Sequence, residues 1–299
     1  MTYRIRTLSP DRARDFAPLT FPAYRSRIGR DTSAVGLLSG NEPAGLALTS
    51  KPDRNGSSEL LSLFVGFPHR GRGLGTALLG HTQKLLARAG ARSLRTSWSE
   101  TLPGALPFQA ILASTGWTAP HKRMLILRGD FSKEMGQVMH TDYPTYRAAP
   151  RLPRKYSVSL WKDMTGADQQ FILSRQGLPD WYGPEADPFR QEKQMEPLTS
   201  LLLRYEDEIA GWVTAHRTGP DTIRYTDIFI RRDLKRTGAV SIATLLHAFW
   251  LQYDQGPPRF TMAVDRENRA MVNLILRRTG QALHPSWTWG AGKNLTSTK

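Results

Sequence analysis

Between an apolar strand ending Leu63-Phe64-Val65 and an amphipathic helix, the chain runs Gly66-Phe67-Pro68-His69-Arg70-Gly71-Arg72-Gly73-Leu74-Gly75-Thr76. Glycines in such a turn let the backbone approach a ligand closely. The free N–H groups of the helix start then favour an anion, by ~0.3 to 1 kcal/mol per charge at an exposed site. With Arg70 and Arg72 set among those glycines, the segment reads as a phosphate-binding turn. It is not a dinucleotide fingerprint, which needs its third glycine where Thr76 stands and an acidic residue about 20 positions further on. It is not a Walker loop either, because Gly-Lys-Ser/Thr is absent. The lack of cysteine excludes a thiolate zinc site, an iron–sulfur cluster, a disulfide scaffold and a cysteine nucleophile. Seven histidines occur without metal-ligand spacing and no Gly-x-Ser-x-Gly elbow is found, so no metal is expected.

The elements that must carry this turn occur twice. Tyr3 to Leu8, followed by a helix start at Asp11, corresponds to Tyr156 to Leu160, followed by Asp163. Ala44-Gly45-Leu46-Ala47-Leu48 corresponds to Ala210-Gly211-Trp212-Val213-Thr214, and Leu63-Phe64-Val65 to Ile228-Phe229-Ile230. A long amphipathic helix follows each time. In the second copy Ile242, Leu245, Leu246, Phe249, Trp250 and Tyr253 form one helical face. Strands Ser93 to Trp98 and Phe260 to Val264 come next, then last helices ending at Gly116 and Gly280. An offset that stays near ~165 residues across these landmarks marks a tandem duplication. The first strands are offset by about a dozen residues less, so the second copy holds an extra segment around Gln176 to Pro184, with Trp181 and Tyr182. Those aromatics would either cover a substrate or seal an interface between the copies. The expected architecture is α/β (α+β): a first domain over 1–135, a polar linker over 136–155 and a second domain over 156–299.

Composition agrees with two globular domains. The chain has 299 residues, 39% hydrophobic and 22% charged. Charged residues interrupt the apolar stretches of the start MTYRIRTLSPDRARDF, which is neither a signal peptide nor a spanning helix, and the expected location is the cytoplasm. The 41 Lys+Arg against 26 Asp+Glu give a formal charge of +15, which attracts polyanions without choosing among nucleic acid, an anionic membrane, an acidic protein and a phosphorylated cofactor.

Arg70-Gly71-Arg72-Gly73-Leu74-Gly75 resembles the acyl-CoA pyrophosphate loop of the GNAT superfamily of N-acyltransferases, whose pattern is Arg/Gln-x-x-Gly-x-Gly/Ala. The order of elements is also similar to that family, well over residues 1 to about 130 and more loosely over about 156 to 290. The resemblance implies two tandem GNAT-like domains, each a mixed, mostly antiparallel sheet flanked by helices. It implies acetyl-CoA or a longer acyl-CoA as co-substrate, with the diphosphate on Arg70, Gly71, Arg72, Gly73, Leu74, Gly75 and Thr76. The thioester carbonyl would lie on backbone N–H groups of Leu63, Phe64 and Val65. Glu59, at a strand position where the family often places a base, becomes a candidate base; simple alternation would put it on one face with Leu61, Leu63 and Val65. Asp227, Tyr225 and His216 are the candidates in the second copy. Its aligned loop, Lys235-Arg236-Thr237-Gly238-Ala239-Val240, keeps Gly238 but carries Val240 where the family has a small residue, so this copy departs from the pattern. The family's tyrosine general acid is missing, with Leu112 in its place in the first copy and Ile275 or Leu276 in the second.

The expected activity is transfer of an acyl group from acyl-CoA to a primary amine of a peptide, protein or small molecule, with the first domain binding the donor and the second shaping the acceptor site or serving a structural role. The positive charge favours an acidic peptide or protein as acceptor over a small cation. The rival expectation is a basic, non-catalytic protein binding RNA or an acidic partner, for which no nucleic-acid motif is present.

Overall fold

The computed structural model describes residues 2–141, 152–234, 239–278 and 283–295. It divides into two compact units, residues 1–124 with 286–299 and residues 125–285.

Unit 1 begins with β1 (Tyr3–Thr7), the short helices α1 (Pro10–Arg14) and α2 (Pro22–Arg25), and strands β2 (Thr32–Ser39), β3 (Glu42–Ser50) and β4 (Ser57–Val65). The glycine-rich turn leads into α3 (Leu74–Arg88), then β5 (Ser93–Ser99) and α4 (Ala105–Ser114). Strand β6 (His121–Asp130) starts in unit 1 and from Leu125 onward belongs to unit 2, where α5 (Glu134–Thr141) follows. Unit 2 continues with β7 (Tyr156–Leu160), α6 (Gly166–Ser174), β8 (Leu201–Tyr205), β9 (Glu208–Gly219), β10 (Thr222–Ile230), α7 (Ala239–Gln255), β11 (Arg259–Asp265) and α8 (Arg269–Arg278). The last strand, β12 (Ser286–Asn294), returns to unit 1 and pairs antiparallel with β5.

The sheet order in unit 1 is β1-β2-β3-β4-β5-β12, and in unit 2 it is β6-β11-β10-β9-β8-β7. Both sheets are otherwise antiparallel in their registered pairs, and each contains one parallel pair, β4 with β5 and β10 with β11. The elements repeat at the offset expected from the sequence, so the duplication holds. The expected contiguous boundaries do not coincide with the compact units. Residues 125–135 lie in unit 2, and β12 completes unit 1. Within the expected linker, residues 136–141 are helical and residues 142–151 lie outside the described residues; Met139 is buried, as is Met135 just before the linker. Their spacing, with Val138, is a helical apolar stripe.

In unit 1, strands β2 and β3 are buried on both faces and read accordingly as nearly unbroken apolar runs. One face packs Val35, Leu37 and Ala47 against Leu78 of α3; the other packs Leu46 and Leu48 against Ala13, Phe16 and Ile28. Each fully buried leucine contributes about 1.5–3 kcal/mol of hydrophobic stabilisation. In unit 2 the buried side of α7 centres on Thr244, Leu245, Ala248, Phe249 and Gln252. The larger apolar residues Ile242, Leu246, Trp250 and Tyr253 are half-buried. Gln252 occupies the core because its amide is fully used: Nε2 donates to the Pro257 and Arg259 carbonyls at 2.8 and 2.9 Å, while Oε1 accepts from Tyr225 at 2.9 Å.

Candidate active site

Strands β4 and β5 pair in parallel over only four positions, Ser57 with Ser93 through Leu60 with Thr96. Beyond Leu60 no register joins them, so Leu63, Phe64 and Val65 remain paired only with β3. The same opening recurs in unit 2, where β10 and β11 pair from Thr222 with Arg259 to Tyr225 with Met262. A β-bulge precedes each opening. In β4 the extra residue is Leu61, because Leu48 faces Ser62 and Thr49 faces Leu60. In β10 it is Thr226, since Ala215 faces Tyr225 and Thr214 faces Asp227.

The glycine-rich turn lies at the end of β4. Gly71 and Gly73 have φ of +74° and +70°, a region costly for residues with a side chain, and a Cβ built on either would meet no atom within 4 Å. The turn is therefore shaped by glycine for open space rather than for packing. Gly75 differs: a Cβ there would lie 2.8 Å from Ile111 Cδ1, so its smallness seats α4. Arg70 donates from Nε to the Val65 carbonyl at 2.8 Å, and its guanidinium lies 5.4 Å from the Phe64 ring centre and 5.8 Å from that of Phe67. Arg72 donates to Tyr3 Oη at 3.0 Å, and Tyr3 Oη lies 3.2 Å from His69 Nδ1. The turn, its two arginines and the opened strand are thus brought together within unit 1.

The bulge corrects the expected orientation of Glu59. Leu60 packs with Leu79 and Leu86 of α3, and Leu63 packs on Leu78, whereas Leu61 packs with Leu46 and Leu48 on the other side. One extra residue reverses the alternation, so Glu59 shares the face of Leu61 and is opposite to Leu63 and Val65. It is exposed, and its N–H donates to Ser50 Oγ at 2.9 Å. Leu112 is buried in the core of unit 1, Ile275 is buried in unit 2 and Leu276 is 49% exposed. No hydroxyl stands at these helix positions.

In unit 2, Tyr225 is a core residue. Its ring packs edge-on against Phe249 and Phe260, its hydroxyl bonds Gln252, and burial pushes that hydroxyl well above its ordinary pKa. Asp227 accepts the indole N–H of Trp212 at 3.2 Å and lines a cavity of about 340 Å³ between the opened strands and the starts of α7 and α8. His216 is 8% exposed, with Nδ1 2.6 Å from Thr226 Oγ1, and burial lowers its pKa. Residues Lys235 to Gly238 lie outside the described residues; Val240 is half-buried in the first turn of α7. Trp181 and Tyr182 of the extra segment pack within unit 2 on Phe229 and Trp212, and Tyr182 donates to the Ile172 carbonyl at 3.0 Å. Their burial, 8% and 2% exposed, makes them core rather than a lid. A larger hollow of about 650 Å³ in unit 1, between β1 and α1, touches none of the turn residues. Among the described residues no helix is long and apolar enough to cross a membrane, and no group of His, Asp and Glu is arranged to hold a metal.

Two copies of a sheet opened after one short parallel pair, the first ending in a glycine-rich turn, make up the GNAT fold in tandem. Residues 3–108 match the acetyltransferase (GNAT) family, and over its whole length the chain has a tandem GNAT fold. No curated protein matches the sequence. A tandem GNAT protein from the clavulanic acid biosynthesis pathway aligns over 100% of both chains with TM-score 0.66 at 15% identity. A GCN5-related N-acetyltransferase from Sphaerobacter thermophilus aligns over 98% of this chain and 96% of its own, with TM-score 0.64 at 17% identity. A glucosamine N-acetyltransferase region of a fungal multi-domain β-N-acetylglucosaminidase covers 97% of this chain and 38% of that one, with TM-score 0.62 at 13% identity. At these identities the likeness is one of fold.

Proposed function

We propose that the protein is an N-acyltransferase that takes its donor, acetyl-CoA or a longer acyl-CoA, in unit 1 and transfers the acyl group to a primary amine. The observation that carries this reading is the juxtaposition of the opened β4 end with Gly71 and Gly73, both at positive φ and facing open space. Arg70, Arg72 and the first N–H groups of α3 supply positive potential for a diphosphate. Backbone N–H groups among Leu63, Phe64 and Val65 supply donors for the thioester oxygen as negative charge develops on it, worth ~3 to 4 kcal/mol for one well-placed donor. The amine nitrogen attacks the carbonyl carbon, the tetrahedral oxyanion collapses, and CoA leaves as thiolate. Water takes the amine proton and protonates the thiolate, because α4 carries Leu112 where a hydroxyl would be needed. Calorimetric titration with acetyl-CoA tests the donor site. The wild-type protein binds, and joint replacement Arg70→Ala and Gly73→Val abolishes binding; unchanged affinity in that variant would overturn the assignment.

A further inference from the structure

The face of unit 1 opposite α3 carries cations that no carboxylate pairs. Strands β5 and β12 run in unbroken register there, Arg95 with Gly292, Ser97 with Gly290 and Ser99 with Thr288, while the alternate residues Leu94 and Trp98 enter the core under α3 and α4. Gly290 makes room on the exposed face. A Cβ built on it would lie 2.4 Å from Arg123 Cδ and 3.4 Å from His121 Nε2, so both side chains of β6 are laid over β12 at this point. From the other side, Arg95 Cγ lies 4.0 Å from the same position on Gly292. Arg95, Arg123 and His121 are exposed, and none has a hydrogen-bond or ion-pair partner among the described residues. Glu59 stands in register with Arg95 on β4 without pairing to it, and Arg123 lies two strands further from that carboxylate. The fold does not require these cations: at the place of Arg95, one before the last parallel pair, the second copy has Thr261.

We propose that this strip docks an acidic peptide in extended conformation, with its carboxylates on Arg95 and Arg123 and its backbone over Gly290 and Gly292. A planar guanidinium can hold a carboxylate through two parallel hydrogen bonds, and the exposed Ser97 adds a hydroxyl donor beside Gly290. The sign of the charge selects an anion. Its spread over strands ~4.8 Å apart selects a chain over a compact ligand. A single-stranded nucleic acid would gain little here, because bases need aromatic rings to stack on, and Trp98 and Trp289 both lie on the opposite face. The strip also passes the opened end of β4, since Ser97 is the first residue of β5 beyond the last pair, Leu60 with Thr96. That an amine of the docked peptide is the acyl acceptor, reaching the thioester from the face opposite α3, rests on the acyltransferase reading; binding of the peptide does not.

Fluorescence anisotropy of a labelled deca-glutamate peptide on the full chain at low ionic strength tests the proposal, with a Gly-Ser peptide of equal length as neutral control. Saturable binding of deca-glutamate, none of the neutral peptide, and a loss of about tenfold in affinity on joint Arg95→Ser and Arg123→Ser replacement are expected. Arg88→Ser, which removes the same charge from the exposed end of α3, should leave affinity unchanged. Gly290→Ala keeps every charge but displaces Arg123, and should weaken binding too; if it does not fold, the serine variant at exposed positions decides. Unchanged affinity in the serine variant, an equal loss in Arg88→Ser, tighter binding of labelled deca-uridylate, or displacement of the peptide by acetyl-CoA would each overturn the proposal. Failure to bind acetyl-CoA with deca-glutamate still bound would sink the acyltransferase reading and leave this inference standing; acetyl-CoA bound without deca-glutamate would do the reverse.

Discussion

Arg70 and Val65 are joined by a hydrogen bond of 2.8 Å from Nε to the backbone carbonyl, which ties the glycine-rich turn to the end of the opened strand. The planar guanidinium keeps its terminal nitrogens for a ligand while Nε is engaged and the Phe64 ring lies 5.4 Å away. Lysine keeps the charge and loses both the fork and the stacking plane. Arg70→Lys is therefore expected to weaken acetyl-CoA binding by about tenfold, equivalent to ~1.4 kcal/mol. A dissociation constant equal to that of the wild type would show that charge alone is used.

Glu59 lies on the face of β4 away from α3, with Arg95 as its register partner in the part of the sheet that stays closed. We expect Glu59→Gln to change kcat/KM by less than about threefold and to leave the pH–rate profile in place, since a general base contributes ~10²- to 10⁴-fold. Loss of the acidic limb of that profile in the variant would restore Glu59 as the base.

The repeat and the glycine-rich turn were legible because glycine spacing and apolar periodicity are local properties. The bulges at Leu61 and Thr226 were not, since nothing in a run such as Glu59-Leu60-Leu61-Ser62-Leu63 marks which residue is the unpaired one. Their effect is large: they reverse the face of Glu59 and place Thr226 and Asp227 side by side on the cavity wall. Trp181 and Tyr182 were ambiguous because large aromatics serve cores and binding surfaces alike. Helix α5 was readable from Met135, Val138 and Met139 but was masked by the polar residues around it.

Asp168 caps α6 together with Thr165 and is held by Arg204 at 2.8 Å, which lowers its carboxyl pKa from 3.8 to about 2. A depressed carboxylate stabilises the fold above its unfolded pKa, and that contribution disappears as pH falls through the folded value. With the side chain 12% exposed, the shift is worth about 1 to 2 kcal/mol. In urea denaturation at pH 7, Asp168→Asn should lower the stability of unit 2 by about that amount, and the gap should close between pH 4 and pH 2. A gap independent of pH would assign the effect to the cap geometry alone.

Trp181 is 8% exposed and packs 5.8 Å from the Phe229 ring centre and 5.6 Å from that of Phe171. Trp181→Ala should cost about 3 to 5 kcal/mol by leaving a cavity in unit 2, whereas Tyr182→Phe loses one buried hydrogen bond, about 1 kcal/mol. Chemical denaturation followed by near-ultraviolet circular dichroism separates the two. A Trp181→Ala loss below ~1 kcal/mol would mean that the segment is a surface loop after all.

Strand β12 carries the sharpest consequence of the exchange, because unit 1 is completed by residues more than half the chain away. Trp289 pairs in register with Trp98, Lys293 bonds Gln83 at 2.9 Å and the Thr115 carbonyl, and Trp289 Nε1 donates to Glu100 at 3.1 Å. Neither β6 nor β12 reveals its partner from sequence: both are short alternating strands at equivalent places in the repeat, and pairing is fixed by tertiary packing rather than by local pattern. Removing residues 286–299 would strip the antiparallel partner from β5 and uncover the core around Trp98 and Leu94. Truncation after Pro285 is thus expected to abolish acetyl-CoA binding in unit 1 while the Tyr225–Gln252 core of unit 2 stays protected in amide hydrogen exchange. Retained donor binding in the truncated chain would show that unit 1 closes without the returning strand.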